Sequence, residues 1–301
     1  IYFSIAKFKG YGKLSHLPLE DLKTGASERT DNDEYDKEHA SDFVLWKAYD
    51  KDRDGEIFWE STFGPGRPGW HLECSAMAKA ILGNTIDIHC GGGDNIFPHH
   101  ENEIAQSEAY TGEPFSKMWV HSEYLIVENR KMSKSLGNFY TLKDLIDKGY
   151  TGKQIRYMLL QTHYRMQLNF TIQELDAVKT SLERIHSFVT RREEIQGDDS
   201  SNAADGVVEK TTKAFSEALA DDINIAKALA AIFDMIREVN AIADKGSLST
   251  EEAQKILAMV KSFDAVLGIM TPEKEETPQA LLDALEQRQQ ARNDKDWKRA
   301  D

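Results

Sequence analysis

Near residue 170 the chain changes character. Residues 1 to about 165 alternate short apolar runs with Gly and Pro, whereas from about 172 onward both become scarce and apolar residues recur at helical spacing. No single repetitive architecture fits both halves, so the break predicts two domains of different class. In the first half, 85–90 reads as a strand, Gly91-Gly92-Gly93 as a tight turn and 99–110 as a helix. The run 119–127 is rich in Val, Ile, Tyr and Trp and reads as a further strand. Alternation of strand and helix favours a parallel α/β sheet. In the second half, 172–189, 207–219, 225–242 and 253–267 carry helix-periodic apolar residues and predict a helical bundle. Segments 193–202 and 271–278 have the polar composition of solvated loops, and one more amphipathic helix starts after Pro278.

Composition narrows the class of function. The 301 residues suffice for two real cores. With 37 Lys and Arg against 51 Asp and Glu, the net charge is -14, which argues against a general nucleic-acid coat and against DNA as partner. Cys74 and Cys90, the two cysteines, cannot build a disulfide framework and fit a reducing, cytoplasmic setting. No stretch approaches 18 uninterrupted apolar residues, and the first 15 residues hold three lysines without a long apolar run, so neither a membrane span nor a signal peptide is expected. The opening Ile1-Tyr2-Phe3-Ser4 reads as mid-chain sequence, and the expectation is a chain that starts and stops inside a larger protein.

Three groups of residues carry chemistry. Lys131-Met132-Ser133-Lys134-Ser135 places two ammonium groups and two hydroxyls in a loop after a strand. Such a loop can close on a polyphosphate, with Lys134 placed on oxygens that gain charge during phosphoryl or adenylyl transfer. His99 and Glu103, four apart on a helix, face one way, and Cys74 lies 25 residues upstream in the same α/β unit, which makes three metal ligands of acceptable type. Taken singly, Cys74 reads first as a buried thiol, and His99 and Glu103 fit a helix start after Pro98. Gly91, Gly92 and Gly93 followed by Asp94 can admit an adenosine close to the backbone and offer a carboxylate to ribose hydroxyls, though a plain turn with a capping Asp reads the same way.

The lysine and serine pentapeptide resembles the signature loop of class I aminoacyl-tRNA synthetases, and the chain resembles their cysteine-activating family. The resemblance is carried by residues 64–77, including Gly69-Trp70-His71 and Glu73-Cys74-Ser75, by Asp87-Ile88-His89, by 97–107, including Pro98-His99-His100-Glu101-Asn102-Glu103, and by 131–139. It implies an α/β Rossmann-like class I catalytic domain, in part, over 1–165, then an all-α helical bundle contacting tRNA over 166–270, and the start of an anticodon-binding region over 279–301. It implies ATP with Mg2+, L-cysteine and tRNA(Cys) as reactants, and one zinc ion held by Cys74, His99 and Glu103. Lys131 and Lys134 match catalytic positions; Trp70, His89, Gly91, Gly92, Asp94 and Lys134 match substrate and ATP contacts. His71, His89 and His100 resemble pocket histidines, for which a structural role in the core is an equal reading. Cys90 takes no ligand role. The family's HIGH-type ATP motif and its further zinc cysteine have no counterpart in 1–301, so the chain alone is expected not to activate cysteine.

Zinc in this setting serves recognition. Shape separates near-isosteres such as cysteine and serine by only about a hundredfold, whereas a thiolate binds zinc far better than a hydroxyl does. The charge objection to tRNA has a local answer: from 143 to 192 nine basic residues face five acidic ones, a net +4 that leaves -18 elsewhere. Fluctuation on solvated helix faces accounts for that strip equally well. Three rivals stand beside a tRNA ligase: the related cysteine ligase of mycothiol synthesis, a non-catalytic zinc- and tRNA-binding fragment, and a metallohydrolase using His99, His100 and Glu103. The last leaves the lysine loop unexplained. A monomer is the expected state.

Overall fold

The computed structural model describes residues 1–16, 42–197, 202–272, 279–293 and 296. These form two compact units, Ile1–Tyr140 with Thr162–Thr171, and Thr141–Gln161 with Ile172–Asp301.

In the first unit, β1 (Tyr2–Phe3) pairs antiparallel with β2 (Phe43–Val44), and β3 (Trp46–Ala48) with β4 (Gly66–Pro68). Between the latter two lies a short helix, α1 (Lys51–Asp54), whose first amides donate to the Asp50 carboxylate. The site is built by α2 (Trp70–Leu82), β5 (Ile86–Gly92), α3 (Glu101–Thr111) and β6 (Ser116–Ser122). Strands β5 and β6 run parallel, from Ile86 opposite Ser116 to Gly92 opposite Ser122. Ile86, Ile104 and Phe115 form one buried cluster, with Trp119 against it, and Ile5, Phe43 and Ala105 form another. A three-stranded sheet of order β8-β7-β9 holds β7 (Ile126–Val127), β8 (Arg130–Lys131) and β9 (Asn169–Phe170).

Two expectations change in detail. The helix predicted from residue 99 begins as regular α-helix at Glu101, after a 3-10 turn at Gly93–Asn95 and a wide turn at Ile96–His100. Phe97 is extended (φ -134, ψ 133), as steric pressure from a following proline demands, so the regular helix starts only beyond Pro98. The apolar run 119–127 is divided between β6 and β7, which lie in different sheets. At the break, Glu123 N–H donates to Tyr164 O at 2.7 Å.

The second unit is helical: α4 (Leu142–Asp147), α5 (Gly152–Leu160), α6 (Ile172–Glu193), α7 (Asp205–Ala220), α8 (Ile225–Ala243), α9 (Thr250–Leu267) and α10 (Gln279–Asn293). Capping boxes at Thr141 with Asp144, Thr151 with Gln154 and Ser249 with Glu252 start α4, α5 and α9. Leu175, Ile185 and Phe188 of α6, Ile232 and Met235 of α8, and Ile256 and Leu267 of α9 are buried almost completely. At the end of α9, Gly268 takes the left-handed conformation (φ 65), and Arg156 donates to the exposed carbonyls of Val266 and Leu267. Of the loops expected at 193–202 and 271–278, residues 198–201 and 273–278 lie outside the described residues, as do 294–295 and 297–301 of the last expected region. Among the described residues no helix is long and apolar enough to cross a membrane.

Candidate metal and nucleotide site

The first turns of α3 are polar yet sealed. Glu101 and Glu103 are 0% exposed, Asn102 is 2%, and His99 and His100 just before them are 5% and 3%. Charged residues are almost never this buried unless partnered. Glu101 is satisfied by three backbone amides, those of Gly12, Leu14 and Ser15, which anchor residues 12–15 to the helix. Glu103 is not. Its Oε2 accepts from His89 Nε2 at 3.1 Å, while its Oε1 is buried with no hydrogen-bond partner. An orphaned carboxylate oxygen in a dry site is costly, by about 1–3 kcal/mol or more, unless a cation meets it.

The sequence-predicted ligands converge on the Glu103 carboxylate. One donor atom each from Cys74, His99 and Glu103 lies within 4.8 Å of the other two, a spread that small side-chain rotations close onto one ion. His99 Nε2 is 3.7 Å from Glu103 Oε2. Helix α2 supplies Cys74 and, one turn back, Trp70, whose ring stacks on His99 with centroids 4.0 Å apart. Burial, Glu103 and Glu73 push the Cys74 thiol above its ordinary range, so the thiolate form needs a positive charge beside it. Burial lowers His99 despite the opposing pull of Glu103, which leaves a neutral imidazole able to ligate. One sulfur, one nitrogen and one oxygen donor with a missing positive charge fit zinc.

Sequence reasoning undervalued the residues behind these ligands. His71 Nδ1 meets His99 Nδ1 at 2.8 Å, and burial together with His99 lowers His71 to about 3. Gln106 donates to both His71 O and Ser75 Oγ at 2.6 Å. Their signal was the helical spacing of His71 with Ser75, and of Asn102 with Gln106. A second potential ligand set, His89, His100 and Glu103, shares the same carboxylate. His100 Nδ1 pairs with His121 Nε2 at 2.8 Å, and burial holds His100 at about 3.

The tight turn expected at Gly91-Gly92-Gly93 is corrected by the structure. Gly91 and Gly92 end β5, and the turn begins only at Gly93. A Cβ on Gly91 would lie 2.4 Å from His100 Cε1, so this glycine accommodates the histidine cluster as well as any ligand at the strand end. A Cβ on Gly92 would meet Asp94 Oδ1 at 2.5 Å, because the exposed Asp94 folds back over it. Cys90 is exposed and belongs to no potential metal group among the described residues.

Lys131 and Lys134 belong to a different sheet of the same unit. Lys131 ends β8, and Lys134 lies in the following turn, its ammonium 5.5 Å from the centre of the Phe139 ring. Asn138, to which the sequence pattern alone assigns no role, organises this loop. Its Oδ1 accepts from Ser133 N, while its Nδ2 donates to Val127 O and Lys131 O at 3.1 Å. The two strands that lead into the loop, β7 and β8, are thereby tied to one buried amide.

Known proteins resemble the chain along its whole length. The catalytic-domain family described as tRNA synthetases class I (C) matches residues 1–180, and the DALR domain matches 214–271, spanning the end of α7 and all of α8 and α9. The cysteine-tRNA ligase of Protochlamydia amoebophila (strain UWE25) is 57% identical over 303 aligned residues, and that of Chlamydia felis (strain Fe/C-56) is 53% identical over 304. Both alignments cover the whole chain, which spans 63% of the length of either relative. The agnB2 LeuRS of Agrobacterium radiobacter K84, solved with tRNA and LeuAMS, superposes with a TM-score of 0.55 at 16% identity, covering 75% of this chain and 35% of that one, which shows a shared fold. A catalytic-domain match over well more than half its length, on a fold with these elements, makes the chain a member of the class I tRNA synthetases.

Proposed function

We propose that the protein carrying this chain is a cysteine-tRNA ligase, which activates L-cysteine with ATP and passes it to tRNA(Cys). The observation that carries the reading is the convergence of Cys74, His99 and the buried, incompletely paired carboxylate of Glu103, in one chain with the Lys131 to Ser135 loop. A zinc ion held there would supply a soft Lewis acid that a substrate thiolate binds and a serine hydroxyl does not. The remaining roles fall to the chain itself. His71 orients His99, and the Trp70 ring covers it on one face, limiting water at the donor set. Gly91 and Gly92 let adenosine approach the strand end, and Asp94 accepts from ribose hydroxyls. Lys134, with Lys131, brings positive charge to the ATP phosphates as the cysteine carboxylate attacks the α-phosphorus and pyrophosphate leaves. Mg2+ accompanies the ATP.

In this reading residues 1–165 belong to the catalytic domain, 166–270 to a tRNA-contacting bundle, and 279–301 to the start of an anticodon-binding region, in a cytoplasmic protein. The names of the relatives and the DALR match support transfer to tRNA over transfer to a sugar. The test measures, on the whole protein that carries this chain rather than on residues 1–301 alone, zinc content and amino-acid-dependent ATP-pyrophosphate exchange together. Stoichiometric zinc, exchange with cysteine but not serine, and charging of a tRNA(Cys) transcript are expected. Zinc retained unchanged by Cys74→Ala, or exchange without charging of the transcript, overturns the reading.

A further inference from the structure

Part of the basic strip between 143 and 192 is already engaged within the protein. Arg156 is engaged with the carbonyls at the end of α9, Lys153 donates to Thr271 O at 2.7 Å, and Arg192 is only 4% exposed. Two of the others, Arg184 and Arg191, lie together on α6. Thr180, Arg184, Ser187 and Arg191 recur at i, i+4, i+7 and i+11, and so share one stripe of α6. Arg237 and Asn240 of α8 face them across a groove of about 310 Å³, within the size range of ligand-holding clefts.

The groove is lined chiefly by donors. Arg184 is braced over the Phe233 ring, 5.4 Å from its centre, and Arg237 is steadied by Asp234. Asn240 Oδ1 is taken by Arg192 Nη2 at 3.0 Å, which leaves the amide NH2 of Asn240 to donate. Glu183 is the one carboxylate in the lining. Beneath lies an unusual charge: the guanidinium of Arg192, in contact with Phe188 and Asn240 of the lining, has Nε and Nη1 buried without a partner. A buried cation with two unpartnered nitrogens, offset in part by the nearby Asp244 charge, is further stabilised by an anion held close to it. Preoriented guanidinium, amide and hydroxyl donors match the oxygens of a phosphodiester.

We infer that the groove between α6 and α8, built by Arg184, Arg191, Arg237 and Asn240 over the buried Arg192, binds a backbone phosphodiester of RNA. The inference rests on the proposed tRNA substrate and deepens it, by assigning a backbone contact to the helical unit. Backbone contacts fix the position of an RNA without reading its sequence, so the groove treats cognate and non-cognate tRNA alike.

The experiment is filter binding of tRNA(Cys) and of an unrelated tRNA transcript over a range of salt, with folding of each variant checked by circular dichroism. The variants are Arg184→Glu, Arg191→Glu, the charge-keeping Arg191→Lys, and Lys213→Glu on α7 as a charge-matched control outside the groove. Each groove reversal is expected to raise Kd for both RNAs by roughly tenfold, and to reduce the slope of log Kd against log salt by about 1. Arg191→Lys and Lys213→Glu should stay near the parent protein. Wild-type Kd and slope in both reversals, equal weakening by Lys213→Glu, or no binding of either RNA overturns the groove. Binding of the unrelated tRNA with the expected losses, but no charging of tRNA(Cys), keeps the groove and removes the cysteine-tRNA ligase reading.

Discussion

The buried imidazoles of His71 and His99 meet through their Nδ1 atoms at 2.8 Å, so one proton is shared between two nitrogens. If His99 gives Nε2 to a metal, its Nδ1 must carry that proton and His71 must accept it. Burial keeps His71 neutral, as an acceptor has to be. Loss of such a supporting partner lowers metal affinity by about 10–100-fold in characterised sites. His71→Ala should therefore weaken zinc by that order, measured by chelator competition, while Cys74→Ala abolishes stoichiometric binding.

Asn138 leads to a prediction about the lysine loop. Asn138→Asp keeps an acceptor for Ser133 N but turns an oxygen toward the carbonyls of Val127 and Lys131, where Nδ2 had donated. Replacing that donor by an oxygen costs about 1–3 kcal/mol. In protein active in cysteine-dependent pyrophosphate exchange, kcat should fall at least tenfold with little change in the KM for cysteine. Asn138→Asp with unchanged kcat would show that the loop is organised by other contacts.

Lys134 is predicted to act on the transition state rather than on substrate binding. Its ammonium rests against Phe139, and reaching the phosphates requires the loop to move. Lys134→Ala should lower kcat and kcat/KM together in pyrophosphate exchange. A rise in the KM for cysteine at unchanged turnover would contradict this role.

Gly91→Ala tests the packing of the histidine cluster. The added methyl would meet the His100 ring at 2.4 Å, and that ring is both buried and engaged with His121. Overpacking of this kind costs about 1–3 kcal/mol. Thermal unfolding should show a lowered midpoint for the first unit, and Gly92→Ala should be milder, because its clash is with the exposed Asp94 side chain.

Acid should loosen the helical unit first where carboxylates accept backbone amides. Burial tends to raise both Glu252 and Asp264, yet amide and hydroxyl donors outweigh it and hold both below the ordinary carboxylate range. The donors are Ala204 and Ser249 for Glu252, and Ile269, Met270 and Thr271 for Asp264. The unfolded chain then binds more protons than the native one, so the stabilisation is complete above the unfolded carboxylate value, about 4.3 for Glu. It is lost as pH falls through the lower folded values. Glu252→Gln should flatten that dependence and lower neutral-pH stability by about 1–3 kcal/mol, read from urea unfolding at pH 7 and pH 3.

The helical half was legible because its signal is local. Periodic apolar residues and capping pairs such as Ser249 with Glu252 depend on neighbours within a turn, and α6 to α9 appear where the spacing places them. The α/β half was legible at β5 and α3, but less so around them. The run 119–127 has one uniform apolar pattern, and nothing within it says that Glu123 will pair with Tyr164 and end the strand.

For the site, the sequence by itself determined the residue types and the spacing that aligns His99 with Glu103, as well as the loop from Lys131 to Ser135. The tertiary structure decided which groups are left without partners. Glu101 and Glu103 are two residues apart and equally buried, yet one takes three amides from residues 12–15 and the other keeps a bare oxygen. That difference depends on chain nearly ninety residues away in sequence, because desolvation and hydrogen bonding are set by whatever packs against a side chain, and spacing along a helix carries no record of it.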